Sequence, residues 1–193
     1  MFCRYEIGAG VVHTRLGILF AVIALPLWAI ALGGAARTEI SVMMHEVSER
    51  GVGREVGRIM ITESEQGLVF TPMLAGLEKM GGEHGFHVHQ RGDCGPRGKD
   101  GKEGAAMAAG GHYDPDNTGE HDGPLGQGHK GDLPVLHVDE RGRAQRPVLA
   151  PRLKTLAEVR GRALVVHAGG DNHADEPEPL GGGGARLLCG IVR

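Results

Sequence analysis

Three histidines and a cysteine lie within one short stretch, HGFHVHQRGDC (residues 84–94). His87 and His89 are separated by a single valine, and side chains two residues apart on a β-strand point to the same face. Their imidazole rings would then converge, and imidazole nitrogen is a common ligand of zinc and copper. A strand with two solvated histidines on its polar face fits the same spacing, so the stretch alone does not decide between the two interpretations.

Two sets of candidate metal ligands follow from the rest of the chain. The first combines three imidazoles with one carboxylate, which suits a closed zinc site: His112, His121, His129 and Asp132. The second offers only nitrogen, which suits copper: His87, His89 and His167. These side chains collect in loops and at strand ends, where binding sites are usually built. The spacing predicts one metal site and is compatible with two.

The elements that would position these side chains are mostly short strands. Eight apolar or alternating runs recur between glycine-rich turns: EISVMMHEV, EVGRIMITE, GLVFTPML, GFHVHQ, PVLHVDE, RPVLAP, ALVVHA and LLCGIV. Eight such strands predict an all-β sandwich or barrel. A helical pattern occurs in RLKTLAEVRG (residues 152–161). Because that stretch is too short to be stable alone, we expect it to be a connection packed over the end of the barrel.

Two long segments show no strand pattern. They are residues 91–132, called here the first long loop, and residues 169–186, the second long loop. Loops longer than about 15 residues without secondary structure are uncommon and usually functional. A disulfide and a metal ion are the available means of fixing them. The sequence contains no internal repeat and no low-complexity linker, which predicts a single domain.

The first 36 residues differ in composition from the rest. Arg4 and Arg15 precede the uncharged run LGILFAVIALPLWAIAL (residues 16–32), and the small residues GGAA follow it. This order is typical of a secretory signal peptide, and we expect cleavage near residue 35 or 36, which leaves a domain at residues 37–193. The alternative is an uncleaved membrane anchor. The run is slightly short for a span of about 20 residues, and Pro26 interrupts it.

Charge and cysteine content limit the choice of partners and compartment. Removing residues 1–36 takes away two of the 21 basic and one of the 24 acidic side chains, so the net charge changes from −3 to −4. That balance gives no electrostatic reason to expect nucleic acid as a partner. Cys94 and Cys189 remain, and two cysteines in an exported protein predict one disulfide. Two buried free thiols would fit a cytosolic protein better.

Five motifs, in order along the chain, resemble those of the copper–zinc superoxide dismutases of the bacterial, periplasmic type: GFHVHQRGDC, AGGHYDPDNTGEHDG, GHKGDLP, LVVHAGGDN and GGGGARLLCGIV. The resemblance covers residues 38–193. It implies an eight-stranded, Greek-key flattened barrel or sandwich with two long functional loops. It also implies a periplasmic protein, monomeric or homodimeric, without stable membrane association if the signal is cleaved. An uncleaved signal would instead anchor the protein in the membrane, facing the periplasm.

The resemblance assigns a role to each candidate residue. It implies one copper ion held by four histidines: His87, His89, His112 and His167. It implies one zinc ion held by a second set: His112, His121, His129 and Asp132. His112 would therefore bridge the two metals and take part in catalysis. Asp171 would link ligands of both metals by hydrogen bonds, Arg186 would be a catalytic residue beside the copper channel, and Cys94 and Cys189 match the family's disulfide pair.

The implied reaction is the dismutation of superoxide to molecular oxygen and hydrogen peroxide by a redox-cycling copper, which would protect the cell envelope from oxidative damage. Since the substrate is a small anion and the net charge is negative, a locally positive funnel is needed to attract it. The candidate steering charges are Arg97, Lys99, Lys102 and Lys130. Two alternatives are a domain that stores or delivers copper or zinc and a structural zinc domain. The first would lack a copper ligand or Arg186, and the second would not need the nitrogen-only set.

Overall fold

Nine β-strands are present in the part of the chain that this computed structural model describes, residues 1, 2, 8 and 39–193. They are Glu39–Ser48 (β1), Gly51–Ser64 (β2), Gly67–Leu74 (β3), Gly82–His84 (β4), Phe86–His89 (β5), Leu136–Val138 (β6), Val148–Ala150 (β7), Ala163–His167 (β8) and Arg186–Ile191 (β9). One α-helical turn, Leu156–Val159 (α1), and two 3₁₀ turns, Met107–Ala109 and Pro179–Gly182, complete the elements. The predicted signal peptide lies outside the described residues. Within those residues, no helix has the length and apolar character needed to cross a membrane.

The strands form where the sequence alternates or runs apolar. In β1, for example, Ile40, Val42 and Met44 are buried, whereas the residues between them are exposed. All eight predicted runs are strands, and the all-β prediction is confirmed. The ninth strand, β4, is the three-residue segment GEH, which is too short to show a pattern. It pairs with β6 in a small separate sheet.

Seven strands form one curled antiparallel sheet in the order β5-β8-β9-β1-β2-β3-β7. The hairpin strands β1, β2 and β3 lie side by side, and the last strand, β9, returns beside β1. That is the spatial order of a Greek-key sheet. The main core lies inside the curl, where Phe70 and Phe86 meet edge to face with ring centroids 5.7 Å apart. A second apolar cluster surrounds Cys94 and Cys189.

Strand β5 attaches the first long loop to the sheet. All four of its residues are buried, and isolated backbone bridges join His87 to Asp132 and His89 to His112. Val88 strengthens this attachment, because its N–H donates to the Gly131 carbonyl at 2.9 Å. The loop therefore runs along the edge of β5 and holds its polar side chains beside those of the strand.

Two further features fix the loops and the end of the barrel. A disulfide joins Cys94 to Cys189, which confirms the predicted bond and ties the first long loop to β9. The segment of residues 151–162, called here the helical connection, contains α1 and buries Leu153, Leu156 and Val159 in the main core. It packs against the barrel, as the sequence predicts.

Candidate metal centre

Strands β5 and β8 bring three histidines to one place. Register pairs His87 with Val165 and His89 with Ala163, so His167 lies two residues farther along β8. All three side chains are buried. The ring centroids of His87 and His167 are 4.9 Å apart, and the Nε2 atoms of His89 and His167 approach to 3.3 Å. The alternation in FHVH therefore does converge two imidazoles, as the sequence predicts.

The first long loop adds a fourth imidazole to this set. The ring of His112 stacks on that of His87 with centroids 3.9 Å apart, and it lies 5.0 Å from the ring of His89. One ligand atom from each of four residues falls within 4.8 Å of all the others. We call these residues the four-histidine group: His87, His89, His112 and His167. They are the residues that the family resemblance assigns to copper.

Asp132 is the centre of a second cluster. Its Oδ1 atom accepts a hydrogen bond from His112 Nδ1 at 2.9 Å and lies 3.5 Å from His129 Nδ1. Its Oδ2 atom lies 3.0 Å from His121 Nδ1, but not in hydrogen-bonding geometry. A second set of ligand atoms within 4.8 Å of one another defines the mixed group: His87, His112, His121 and Asp132.

The mixed group differs from the zinc set expected from the sequence in one member. It contains His87, whereas the ring of His129 lies at its edge, with centroids 5.3 Å from His112 and 6.1 Å from His121. His112 and His87 each belong to both groups. The two groups therefore share two imidazoles: His112 Nδ1 donates to Asp132, whereas His87 Nε2 donates to Asp171.

Asp171 fixes the orientation of one ring in each group. Its Oδ2 accepts a hydrogen bond from His87 Nε2 at 2.8 Å, and its Oδ1 accepts one from His121 Nε2 at 2.7 Å. An ionised carboxylate can only accept, so each Nε2 carries the proton. The Nδ1 atoms of His87 and His121 are therefore unprotonated in the neutral rings and carry lone pairs that face the centre.

Backbone carbonyls orient the other two rings in the opposite sense. His89 Nδ1 donates to the Gly110 carbonyl at 2.9 Å, and His167 Nδ1 donates to the Gly184 carbonyl at 3.2 Å. A carbonyl oxygen also only accepts, so the lone pairs of these neutral rings lie on Nε2. These are the two Nε2 atoms that meet at 3.3 Å, where two lone pairs repel unless a cation lies between them.

Four buried polar atoms lack a hydrogen-bond partner among the described residues: His87 Nδ1, His121 Nδ1, His129 Nδ1 and Asp132 Oδ2. A buried polar atom without a partner costs about 1–3 kcal/mol. All four belong to imidazoles or a carboxylate, the donor types that zinc and copper accept. The inward atoms are of the types that bind these metal ions once they carry no proton, and the residues fit the two metal ions in number and chemistry.

The titration behaviour of the rings favours the neutral form in the four-histidine group. Burial, together with neighbouring histidines, lowers the pKa of His112 to about 4 and that of His167 to about 2. Burial also lowers the pKa of His87 and, more strongly, that of His89. Neutral imidazole is the form that binds a metal ion, so His87, His89 and His167 need lose no proton at neutral pH to bind one metal each.

The carboxylates of the centre are held in the charged form. Although burial raises the pKa of Asp132, its contacts with three histidines outweigh burial and hold that pKa well below the usual range. The pKa of Asp171 is lowered in the same way by His121 and His87. His121, between the two carboxylates, has its pKa raised to about 9 against the effect of burial. Two negative charges therefore lie beside the mixed group, where a divalent cation would be stabilised.

Arg186 connects the four-histidine group to the surface. Its guanidinium donates to the carbonyls of Ala106 at 2.6 Å and Gly110 at 2.7 Å. The Gly110 carbonyl is the one that also accepts from His89 Nδ1. A pocket of about 360 Å³ opens at this point, lined by three further cationic side chains: Arg91, Lys99 and Lys102. We call it the cationic pocket.

Only some of the candidate steering charges line the cationic pocket. Lys99 and Lys102 line it, although Lys102 also pairs with Asp100 at 3.3 Å. Arg97 pairs instead with Glu103, and Lys130 with Glu158. Arg91 is not among the steering charges predicted from the sequence, and its only signal there is its place two residues after the histidine-bearing strand. Nor does the sequence predict the carbonyls of Gly110 and Gly184, which no side-chain pattern could reveal.

The family of this chain follows from its similarity to known proteins. The family model described as copper/zinc superoxide dismutase (SODC) matches residues 55–192. The chain belongs to the copper/zinc superoxide dismutase family. One curated relative, superoxide dismutase [Cu-Zn] 2 of Salmonella typhimurium, is 55% identical over 164 residues, which are 85% of this chain and 94% of the relative.

Two solved structures of copper/zinc superoxide dismutases resemble this one. The enzyme from Brucella abortus is 51% identical, with a TM-score of 0.77, and the match covers 81% of this chain and 100% of that one. A protein from Salmonella enterica described as monomeric is 55% identical, with a TM-score of 0.71 and the same coverage. Copper/zinc superoxide dismutases are sandwich proteins, so the predicted fold class is confirmed.

Family membership makes the chain an oxidoreductase that converts superoxide to oxygen and hydrogen peroxide. One copper and one zinc ion per subunit are the family norm, and the two groups of ligand atoms match that requirement. The activity and the cofactors expected from the sequence are confirmed. A purely structural zinc domain would not need the four-histidine group.

Proposed function

We propose that the four-histidine group holds the copper ion and that four residues hold the zinc ion: His112, His121, His129 and Asp132. His112 is then shared. One observation carries this proposal: hydrogen bonds to Asp171, Gly110 and Gly184 occupy the outward ring nitrogens of four histidines, so their lone pairs point inward. Inward lone pairs attract a cation, and they repel one another when no cation lies between them.

His87 is assigned to copper although it belongs to both groups. Its Nε2 atom is committed to Asp171, so only Nδ1 can bind a metal. His87 shares a strand face with His89, and together with His167 they form a nitrogen-only set of the kind copper prefers. His129 completes the zinc set, because its unpaired Nδ1 lies 3.5 Å from Asp132 Oδ1 and a carboxylate with three imidazoles suits zinc.

Copper, when bound, supplies the one-electron redox chemistry, which zinc cannot supply. The protein's part is to attract and hold the substrate anion and to provide a proton. Arg186 uses two N–H groups on backbone carbonyls, and a guanidinium has five, so donors remain for superoxide. Since His112 Nδ1 faces Asp132, Nε2 is the ring nitrogen that would serve the copper side, and it would carry a proton to the peroxide product only while copper does not hold it.

The assignment of ligands can be tested one metal at a time. Metal-free protein should bind one zinc and one copper ion in calorimetric titrations. His121→Ala should lose tight zinc binding and keep copper, whereas His89→Ala should lose tight copper binding and keep zinc. Loss of copper alone from His121→Ala, or of zinc alone from His89→Ala, would contradict the assignment.

We also propose that the protein is exported to the periplasm after cleavage near residue 35 or 36. The charge and apolar pattern of residues 1–36 supports this, and the Cys94–Cys189 disulfide belongs to an oxidising compartment. Cell fractionation and the mass of the purified protein test it. Recovery of the intact chain in the membrane fraction would favour the anchored alternative.

The role we propose in that compartment is protection of the cell envelope from superoxide. A strain lacking the protein should be more sensitive to superoxide generated outside the cell, and expression of the active protein should restore resistance. Equal sensitivity of the two strains would contradict the proposed role. The protein is proposed to act as a monomer or a homodimer, and sedimentation velocity distinguishes the two. The similar Salmonella enterica protein is described as monomeric.

A further inference from the structure

The helical connection contacts the first long loop at consecutive residues around His129. We propose that Arg152 and Glu158, both in the helical connection, are positioning residues for the zinc half of the metal centre. This inference rests on the zinc site proposed above. It assigns a function to a segment that carries no candidate ligand and lies between β7 and β8.

The helical connection is a firm support because it is part of the barrel. Leu153, Leu156 and Val159 are almost completely buried in the main core. The Leu68 N–H donates to the Leu153 carbonyl at 2.8 Å, and the Leu156 N–H donates to a Glu63 carboxylate oxygen at 2.7 Å. The segment is therefore fixed to β2 and β3.

Arg152 holds the backbone of the loop at His129. Its Nη1 atom donates to the His129 carbonyl at 3.1 Å, and its Nη2 atom donates to the Gly128 carbonyl at 2.9 Å. The planar guanidinium suits such paired contacts, which a lysine cannot reproduce. Two successive carbonyls held by one rigid fork fix the peptide groups on both sides of His129.

Glu158 holds the next residue of the loop. One carboxylate oxygen contacts the Lys130 ammonium group, and these side chains are only 20% and 26% exposed. The other oxygen accepts from the backbone N–H groups of Lys154 at 2.7 Å and Thr155 at 3.1 Å. Because the start of α1 fixes the carboxylate, the ion pair ties Lys130 to a defined position.

His129 is the ligand for which such support matters most. It lies outside any strand, and its Nδ1 atom is the farthest from Asp132 of the three contacting histidine nitrogens, at 3.5 Å. Holding Gly128 and Lys130 on either side restricts the backbone before the metal binds. Zinc binding then carries a smaller entropic cost, because part of the loop is already ordered. Arg162, at the end of the same segment, donates to the Gln90 carbonyl beside His89 at 2.9 Å. The effect on zinc is therefore assigned to Arg152 and Glu158 and not to the whole segment.

The test is zinc affinity, measured by competition between metal-free protein and a chromophoric chelator. Arg152→Met and Glu158→Gln should each weaken zinc binding by about 10- to 100-fold, the usual effect of removing groups that orient metal ligands. Glu158→Gln keeps an oxygen for the two backbone N–H groups. The matched control is Arg160→Met, because Arg160 is exposed and donates to the carbonyl of the terminal Arg193; its zinc affinity should not change.

Two further measurements separate positioning from general stability. Copper affinity should not change in Arg152→Met, and the visible spectrum of cobalt(II) bound in place of zinc should shift, because the ligand geometry is altered. Arg152→Lys should recover part of the zinc affinity, since one donor can still reach one carbonyl. If Arg152→Met does not fold, Arg152→Lys and Glu158→Gln decide the question.

The outcomes that overturn the inference are distinct from those that overturn the zinc site. Zinc affinity equal to wild type in the Arg152 and Glu158 variants, with only a lower melting temperature of the metal-free protein, would show that these contacts are merely structural. Failure of the wild-type protein to bind zinc would overturn the zinc site and, with it, this inference.

Discussion

Replacing Arg186 with isoleucine tests how the protein attracts its substrate. The change removes one positive charge from the cationic pocket and the donors nearest the four-histidine group. A hydrogen bond to a charged group is worth about 1.5–3 kcal/mol, and 1.4 kcal/mol corresponds to about tenfold in rate. We therefore expect the rate of superoxide dismutation to fall by about 10- to 100-fold.

The rate should also respond less steeply to salt. Arg91, Lys99 and Lys102 still line the pocket, so part of the attractive field survives and is screened by added ions. The assay is pulse radiolysis of the fully metal-loaded variant over a series of ionic strengths. Metal content is measured first, because Gly110 also orients His89 and a disturbed carbonyl must not be mistaken for a lost steering charge.

Two further variants make the result interpretable. Arg186→Lys keeps the charge without the paired donors, so it should retain most of the salt dependence and only part of the rate. Arg160→Ile removes the same charge at an exposed residue outside the cationic pocket and should leave the rate nearly unchanged. A rate and salt dependence equal to wild type in metal-loaded Arg186→Ile would refute the role of this residue.

The remaining predictions concern the metal centre and the disulfide. His112→Ala should lower the affinity for both metals in competition titrations, and full zinc affinity would show that His112 is not shared. Asp171→Ala removes the acceptor of two ligand N–H groups, so both affinities should fall by about 10- to 100-fold; a change in only one would limit Asp171 to that metal. Alkylation of the native protein followed by mass spectrometry should label neither Cys94 nor Cys189, and replacing both should lower the free energy of unfolding by about 2–5 kcal/mol. Quantitative labelling of both would contradict the disulfide.

The strands of this fold are predictable because their signal is local. Alternation in EISVMMHEV and the apolar run ALVVH each specify a strand from neighbouring residues alone, and both are strands in the structure. Strand β4 depends instead on pairing with β6, more than fifty residues away, where Glu83 meets His137. Its three residues carry too little pattern to predict it.

The candidate site also has some features that local sequence predicts and others that depend on long-range contacts. The convergence of His87 and His89 is a local consequence of strand geometry, so the sequence predicts it. The approach of His112 to β5 is not local, because it depends on a backbone bridge formed across a long loop. Its assignment to both metals came from the family resemblance. The sequence could not show which ring nitrogen of His89 or His167 is free, since backbone carbonyls decide that.

The charges around the site were predictable in kind but not in position. The sequence supplies four candidate steering cations, and their ion pairs and the shape of the pocket select among them. Lys99 lines the pocket, whereas Arg97 pairs with Glu103 on an exposed surface. Such selection depends on how a glycine-rich loop folds back on itself, for which the sequence has no periodic signal.

Metal content and dismutase activity measured on one sample of the purified protein test the central claim most directly. We predict close to one copper and one zinc ion per chain, with superoxide dismutation that disappears when copper is removed and returns when it is restored. Protein that contains zinc alone and stays inactive after copper is supplied, or that holds both metals without activity, would contradict a centre in which His112 joins a catalytic copper to zinc.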